Sequence, residues 1–274
     1  NWREGVHVLE EKDMPIFRRR VRVLAVVGVL VAAASIEFQS ASAGPIPALQ
    51  MDLEYDSAIP LLWNPSPSGV DIGNGLFNFV GSFSDIFGYF TVEWSLIVSP
   101  STTFGTSLIT GNYTVENHTD STHDFSVTVT LPVAPAPGSQ LMGGALTIAL
   151  QANSDGGAIR SIPDDAGNGN GPGSPVWQAQ IDGVAVHDLF QHQFELSITG
   201  AGGIVTSDNF GTPIPGAPAP AVLGSIGIKT EFSLTSLDQA TLTSSFQVTV
   251  IPAPGGLAIL GIGLLSGRRR RRRK

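Results

Sequence analysis

The sequence predicts an all-β body: an antiparallel β-sandwich, with a jelly roll as one arrangement of it, between an N-terminal signal helix and a short C-terminal apolar helix. Three observations carry this. From Gly44 to Val250 apolar residues alternate with Ser, Thr and acids, the period-2 pattern of strands with one face buried. Clusters such as "NPSPSG", "PVAPAPGS" and "DNFGTPIPGAPAPAV" stop the alternating runs, because Gly, Pro, Asn and Asp favour turns. The i, i+3, i+4 spacing of amphipathic helices is nearly absent.

Residues 1–43 read as a signal peptide. Arg18, Arg19, Arg20 and Arg22 form a basic start, Val23 to Ile36 an apolar stretch, and Ala41-Ser42-Ala43 before Gly44 a small-x-small cleavage site. The 14 apolar residues make a helix of about 21 Å, short of the roughly 30 Å hydrocarbon core. Such a segment targets a chain and does not anchor it. Met14 is the expected start of translation, since the thirteen residues before it add nothing to the signal.

Residues 44–250 form the predicted sandwich. Five stretches alternate most clearly: Phe90 to Val98, Phe125 to Leu131, Phe194 to Ile198, Ile226 to Leu234 and Phe246 to Val250. Trp94 shares its parity with Val92 and Leu96 and is expected inside. The run Asn153 to Pro175 reads as one long connection, a functional loop or an insertion.

Residues 251–274 form a third segment. Pro252, Ala253, Pro254 and Gly255 precede an apolar run, and Arg268, Arg269, Arg270, Arg271, Arg272, Arg273 and Lys274 follow it. The run from Gly255 to Gly267 reaches only about 20 Å as a helix. Arginine stems can lie along apolar surface with their heads among lipid headgroups, so the basic cluster acts as a membrane stop. The charge distribution agrees. Between Gly44 and Gly267 two basic residues, Arg160 and Lys229, stand against 18 acids, a net charge of −16, while both ends are basic. The positive-inside rule then holds both ends in the cytoplasm as the acidic body is exported. An acidic body also repels phosphate, which excludes nucleic acid as its partner.

A signal peptide, a β-rich body, a Pro-x-Pro motif, a short apolar helix and terminal arginines, in that order, resemble the PEP-CTERM family of exported bacterial proteins. The usual Pro-Glu-Pro is here Pro252-Ala253-Pro254. The resemblance implies an exosortase-type enzyme as partner, a tail held first in the inner membrane, and a cell-envelope or extracellular destination among exopolysaccharide-producing bacteria. It implies nothing about the activity of the body.

Catalytic signatures are missing from the sequence. Gly-x-Ser-x-Gly, His-Glu-x-x-His, the Walker phosphate loop and Gly-x-Gly-x-x-Gly do not occur, and the chain has 0 cysteines. No cofactor is expected. If an ion binds, calcium fits best, through Asp155, Asp164, Asp165 and Asn168 in a glycine-rich run that offers hard oxygen ligands. His187, Asp188 and His192 raise the question of a zinc or general-base cluster, but an odd spacing puts the two histidines on opposite strand faces. Trp63 and Trp177 lie in loop-like contexts and are the candidates for stacking on sugars. The leading expectation is a non-enzymatic envelope or matrix protein associated with exopolysaccharide. A carbohydrate-binding module is the second, and a secreted glycan hydrolase, which needs two spaced carboxylates, the third.

Overall fold

A computed structural model describes residues 45–55, 59–63, 69–100, 105–135, 138–163 and 173–251, with 59–63 described as backbone only. These residues are strands and turns with no helix, arranged as two antiparallel sheets packed together. The signal segment and the C-terminal tail, including the sorting motif and the arginines, lie outside the described residues. No helix among the described residues is long and apolar enough to cross a membrane.

The chain runs through β1 (Gln50–Tyr55), β2 (Ile59–Trp63), β3 (Gly69–Gly73), β4 (Leu76–Ser84), β5 (Phe90–Ser99), β6 (Thr106–Asn117), β7 (His123–Pro132) and β8 (Gln140–Ala152). It continues through β9 (Gly157–Arg160), β10 (Trp177–Ile181), β11 (Val184–Leu189), β12 (Glu195–Ile198), β13 (Gly202–Phe210), β14 (Ala217–Ala219), β15 (Ser225–Leu234) and β16 (Gln239–Val250). The first sheet has the order β11-β10-β15-β7-β1-β2, with β9 beside β15 and β12 beside β9. The second has the order β13-β8-β16-β6-β5-β4-β3, with β14 also on β8. The five predicted runs fall on β5, β7, β12, β15 and β16, except that Phe194 precedes its strand.

Alternation decides the interior. Phe90, Val92, Trp94, Leu96 and Val98 of β5 are buried, as are Phe125, Val127, Val129 and Leu131 of β7 and Phe232, Leu234, Phe246 and Val248 of β15 and β16. Each such side chain contributes roughly 1.5–3 kcal/mol on burial. Two polar contacts cross this apolar layer and tie one sheet to the other. The Tyr113 hydroxyl of β6 donates to Thr230 Oγ1 of β15, and burial pushes the phenol well above its ordinary range despite that bond. Trp177 Nε1 of β10 donates to Ser244 Oγ of β16 at 2.7 Å. Neither group can be left without its partner in so dry a place.

The long connection expected at Asn153 to Pro175 is interrupted by structure. Gly157–Arg160 forms β9, which pairs with β12 and touches β15 at Ser233 and Leu234. Its four residues are too few for periodicity to distinguish from a turn.

At the opposite corner an Asp-Gly turn joins β10 to β11. The Asp182 carboxylate accepts from the backbone N–H of Leu223 (2.8 Å), Gly224 (2.7 Å) and Ser225 (2.9 Å), pinning the turn to the start of β15. Partial desolvation pushes its pKa up, but the three N–H donors outweigh that and hold it below the ordinary 3.8. A depressed folded value means the stabilisation is complete above the unfolded value and vanishes as pH falls through the folded one. Asp182→Asn is therefore expected to lower the unfolding midpoint at neutral pH, with the gap to wild type closing in strong acid. A gap that stays constant from pH 7 downward would refute the assignment.

Candidate functional site

Register builds the outer face of the second sheet. Ser95 of β5 stands opposite Asn112 of β6, Asn112 opposite Thr243 of β16, Thr243 opposite Thr147 of β8, and Thr147 opposite Ser207 of β13. Paired residues in an antiparallel sheet share a face, so five hydroxyl or amide side chains form one row across five strands, about 19 Å long. Parallel rows continue it, Glu93-Thr114-Thr241 on one side and Ile97-Thr110-Ser245 on the other. Thr114 and Thr241 hydrogen-bond each other at 2.9 Å, and Thr106 and Thr249 at 3.1 Å.

This face has almost no charge. Arg160 and Lys229, the basic residues among those described, belong to the first sheet, where they meet Glu195 at 3.1 Å and Glu231 at 2.7 Å. Glu93 lies in one of these rows and Glu116 in the next, so the surface can offer and accept hydrogen bonds without attracting anions.

Where β4 turns into β5, the polar face ends in an apolar tip. Asp85 shapes it, its carboxylate taking the Phe87 N–H at 3.0 Å while its own N–H donates to Phe90 O at 3.1 Å. Gly88 completes the turn at φ 72°. Held in this loop, Ile86 is 88% exposed, Phe87 71% and Tyr89 47%. The Phe87 and Tyr89 rings stack with centroids 5.6 Å apart and planes at 27°. The His118 N–H donates to Tyr89 O at 2.8 Å, and His118 Nε2 lies 3.3 Å from Thr91 Oγ1, so the loop after β6 braces the aromatic pair. Thr91 and Glu116 stand side by side next to it. Three apolar side chains exposed together on one loop tip make it a candidate contact surface.

The tryptophans fare differently. Trp177 is the first residue of β10 rather than a loop residue, is 0% exposed, and packs at 6.0 Å from Phe210 and 6.4 Å from Phe246. It is unavailable for stacking on a sugar. The flanking Gly and Pro residues suggested a loop, but the alternation Trp177, Ala179, Ile181 carries it into the core. Trp63 ends β2, paired with Met51, and its side chain lies outside the described residues. The signal that Phe87 and Tyr89 did give is an apolar cluster, "DIFGY", where a turn should be polar.

His187, Asp188 and His192 do not come together, and most of the predicted calcium ligands lie outside the described residues. Asp155 is exposed in the turn after β8, its N–H bonded to Asn153 Oδ1 at 2.8 Å, while Asp164, Asp165 and Asn168 lie outside the described residues. His187 points inward and stacks on Phe210 at 3.9 Å, Asp188 faces outward opposite Gln178, and His192 Nδ1 meets Ser161 Oγ at 3.2 Å. Among the described residues no three His, Asp or Glu side chains come together to hold a metal ion. Glu195, like Asp182, is pushed below its ordinary pKa, here by the Arg160 guanidinium that bonds it. A general acid for glycan cleavage needs the opposite displacement.

No protein-family model matches this chain, and no curated protein matches it. Among solved structures, the carbohydrate-binding module TmCBM61 in complex with beta-1,4-galactotriose is similar at 10% identity, covering 59% of this chain and 88% of that one, with a TM-score of 0.23. A family 11 carbohydrate-binding module from Clostridium thermocellum, in complex with a mixed-linked tetrasaccharide, is similar at 10% identity, covering 74% and 96%, with a TM-score of 0.21. The enzymatically active domain of tailspike protein 4 from bacteriophage CBA120 gives 11% identity over 73% of this chain and 19% of that one, at 0.22. Scores this low identify no common fold, and no family is assigned to the chain.

Proposed function

We propose that this chain is an exported, non-enzymatic envelope or matrix protein whose sandwich holds an uncharged polysaccharide on the outer face of its second sheet. The exposed Phe87–Tyr89 stack beside a nearly uncharged hydroxyl and amide surface is the observation that carries the reading. A pyranose presents apolar C–H groups on one face and hydroxyls around its rim. Aromatic rings take the first and the Ser95-to-Ser207 row the second, with Thr91 and Glu116 at the junction. The net charge of −16 between Gly44 and Gly267 excludes polyuronates and sulfated polymers by repulsion. Export and sorting rest on the two basic ends and the resemblance to PEP-CTERM proteins. In that scheme an exosortase-type enzyme acts near Pro252-Ala253-Pro254 while the apolar run and Arg268 to Lys274 hold the tail in the inner membrane.

Retardation of the protein in native gels cast with neutral glucans or galactans, against gels cast with alginate, tests the binding. Retardation is expected in at least one neutral polymer and not in alginate. Phe87→Ala and Tyr89→Ala are each expected to weaken binding by on the order of 1–2 kcal/mol, about 5- to 30-fold, with unfolding midpoints unchanged. Equal retardation of wild type and both variants in every polymer would defeat the assignment. For the sorting half of the proposal, cells producing the full chain are fractionated beside cells producing a chain ending at Val250. Loss of envelope association in the shortened form is expected, and equal location of the two would defeat it.

A further inference from the structure

The second sheet ends at β13, and no described strand pairs with the outer side of that strand. An unpaired edge offers a row of backbone N–H and C=O groups to any other strand, and proteins ordinarily blunt it with proline, charge, a bulge or shortness. The edges at β2, β3, β11 and β14 are blunted. β2 contains Pro60, and β3 has five residues with a register break between Asp71 and Gly73. β11 pairs across a register break in β10 at Ala179/Gln180 and carries His187 and Asp188, while β14 has three residues including Pro218. β13 has none of these devices except one acid. Its nine residues, "GGIVTSDNF", contain no proline, lysine or arginine and pair without a break from Gly202↔Ala152 to Phe210↔Gly144. Val205, on its outer face, is 63% exposed.

We infer that β13 is an interaction edge and that its occupant is a second copy of this chain, paired antiparallel about a two-fold axis at Thr206. Alternate residues of β13 turn both backbone groups away from β8, so two copies satisfy each other's open bonds at Val205 and Ser207, while the Asn209 N–H near the strand end is taken by Asp208 Oδ1 at 2.8 Å. The charge pattern fits self-pairing. In this register Val205 faces the partner's Ser207 and Ile204 faces the partner's Asp208. The strand's one charged residue is then never opposed to its own copy: the two Asp208 positions lie roughly 14 Å apart along the ladder, beyond the Debye length of about 8–10 Å. Paired residues also keep their faces, so Val205 and Ser207 remain outside and the polar rows of one copy run on into those of the other.

Sedimentation of the full chain in a non-ionic detergent reads the result, because the chain's mass and twice that mass separate cleanly. Wild type is expected as a dimer. V205K/S207K brings introduced ammonium groups face to face and is expected to be a monomer with an unchanged unfolding midpoint. V205K/S207E brings opposite charges together and is expected to restore the dimer. Because the natural chain has 0 cysteines, Thr206→Cys is expected to form one disulfide-linked dimer on mild oxidation. A monomeric wild type at all concentrations overturns the inference, and so does a dimer that survives V205K/S207K. Because Ser207 also belongs to the polar row, the edge assignment is decided by mass alone.

Discussion

Trp177→Ala is expected to lower folding stability by about 3–5 kcal/mol, a large part of the roughly 5–15 kcal/mol available to a domain, while leaving glycan binding by the folded fraction unchanged. The indole is wholly buried between Phe210 and Phe246, and the chain makes room for it: a Cβ on Gly144 would lie 2.8 Å from its Cη2. Truncation leaves a cavity that two sheets tied to other strands cannot close. It also removes the donor to Ser244 Oγ, an oxygen buried in the same layer. Urea titration measures the effect as a lowered midpoint with an unchanged slope. A binding loss in the folded variant as large as that of Phe87→Ala would return Trp177 to the ligand site.

The contrast between Trp177 and Phe87 shows what the sequence could carry and what it could not. Alternation is a local signal, so Phe90 to Val98 and Phe125 to Leu131 declared both their strands and their buried faces. β6 and β8 were harder to read because Gly111 and Gly144 stand where the pattern calls for apolar side chains. Those glycines are explained by neighbours distant in sequence, which no window of ten residues contains. Trp177 follows a run of Gly and Pro, and the alternation Trp177, Ala179, Ile181 is too short to outweigh them until the pairing of β10 with β15 is in view. The candidate glycan face is non-local in the same way. Ser95, Asn112, Thr243, Thr147 and Ser207 become one row only through four pairings in register. The tip at Ile86 to Tyr89 is different: an apolar cluster where a turn should be polar is a local signal, passed over in favour of the tryptophans.

Gly111→Ala is expected to be severely destabilising. Gly111 lies mid-strand in β6 at φ +152°, between Leu96 of β5 and Ser244 of β16. A Cβ there would sit 2.2 Å from the Ser95 carbonyl oxygen and 2.8 Å from Leu96 Cα. Both are backbone atoms of the adjoining strand, so no rotamer change relieves the overlap and β5 must move off β6. With the cost of a side chain at this φ, the expected loss is on the order of 3 kcal/mol or more. Gly203→Ala is the matched control, since its nearest neighbour is the flexible end of Gln151 at 3.1 Å. Thermal unfolding should show a large fall for the first and little change for the second. Equal midpoints would mean that β5 and β6 do not approach so closely. Function gives a second discriminator, because Ser95 and Asn112 flank the clash on the outer face. Gly111→Ala is expected to weaken neutral-glycan retardation even at temperatures where the protein stays folded. Trp177→Ala, which loosens the interior but leaves those rows in register, is not.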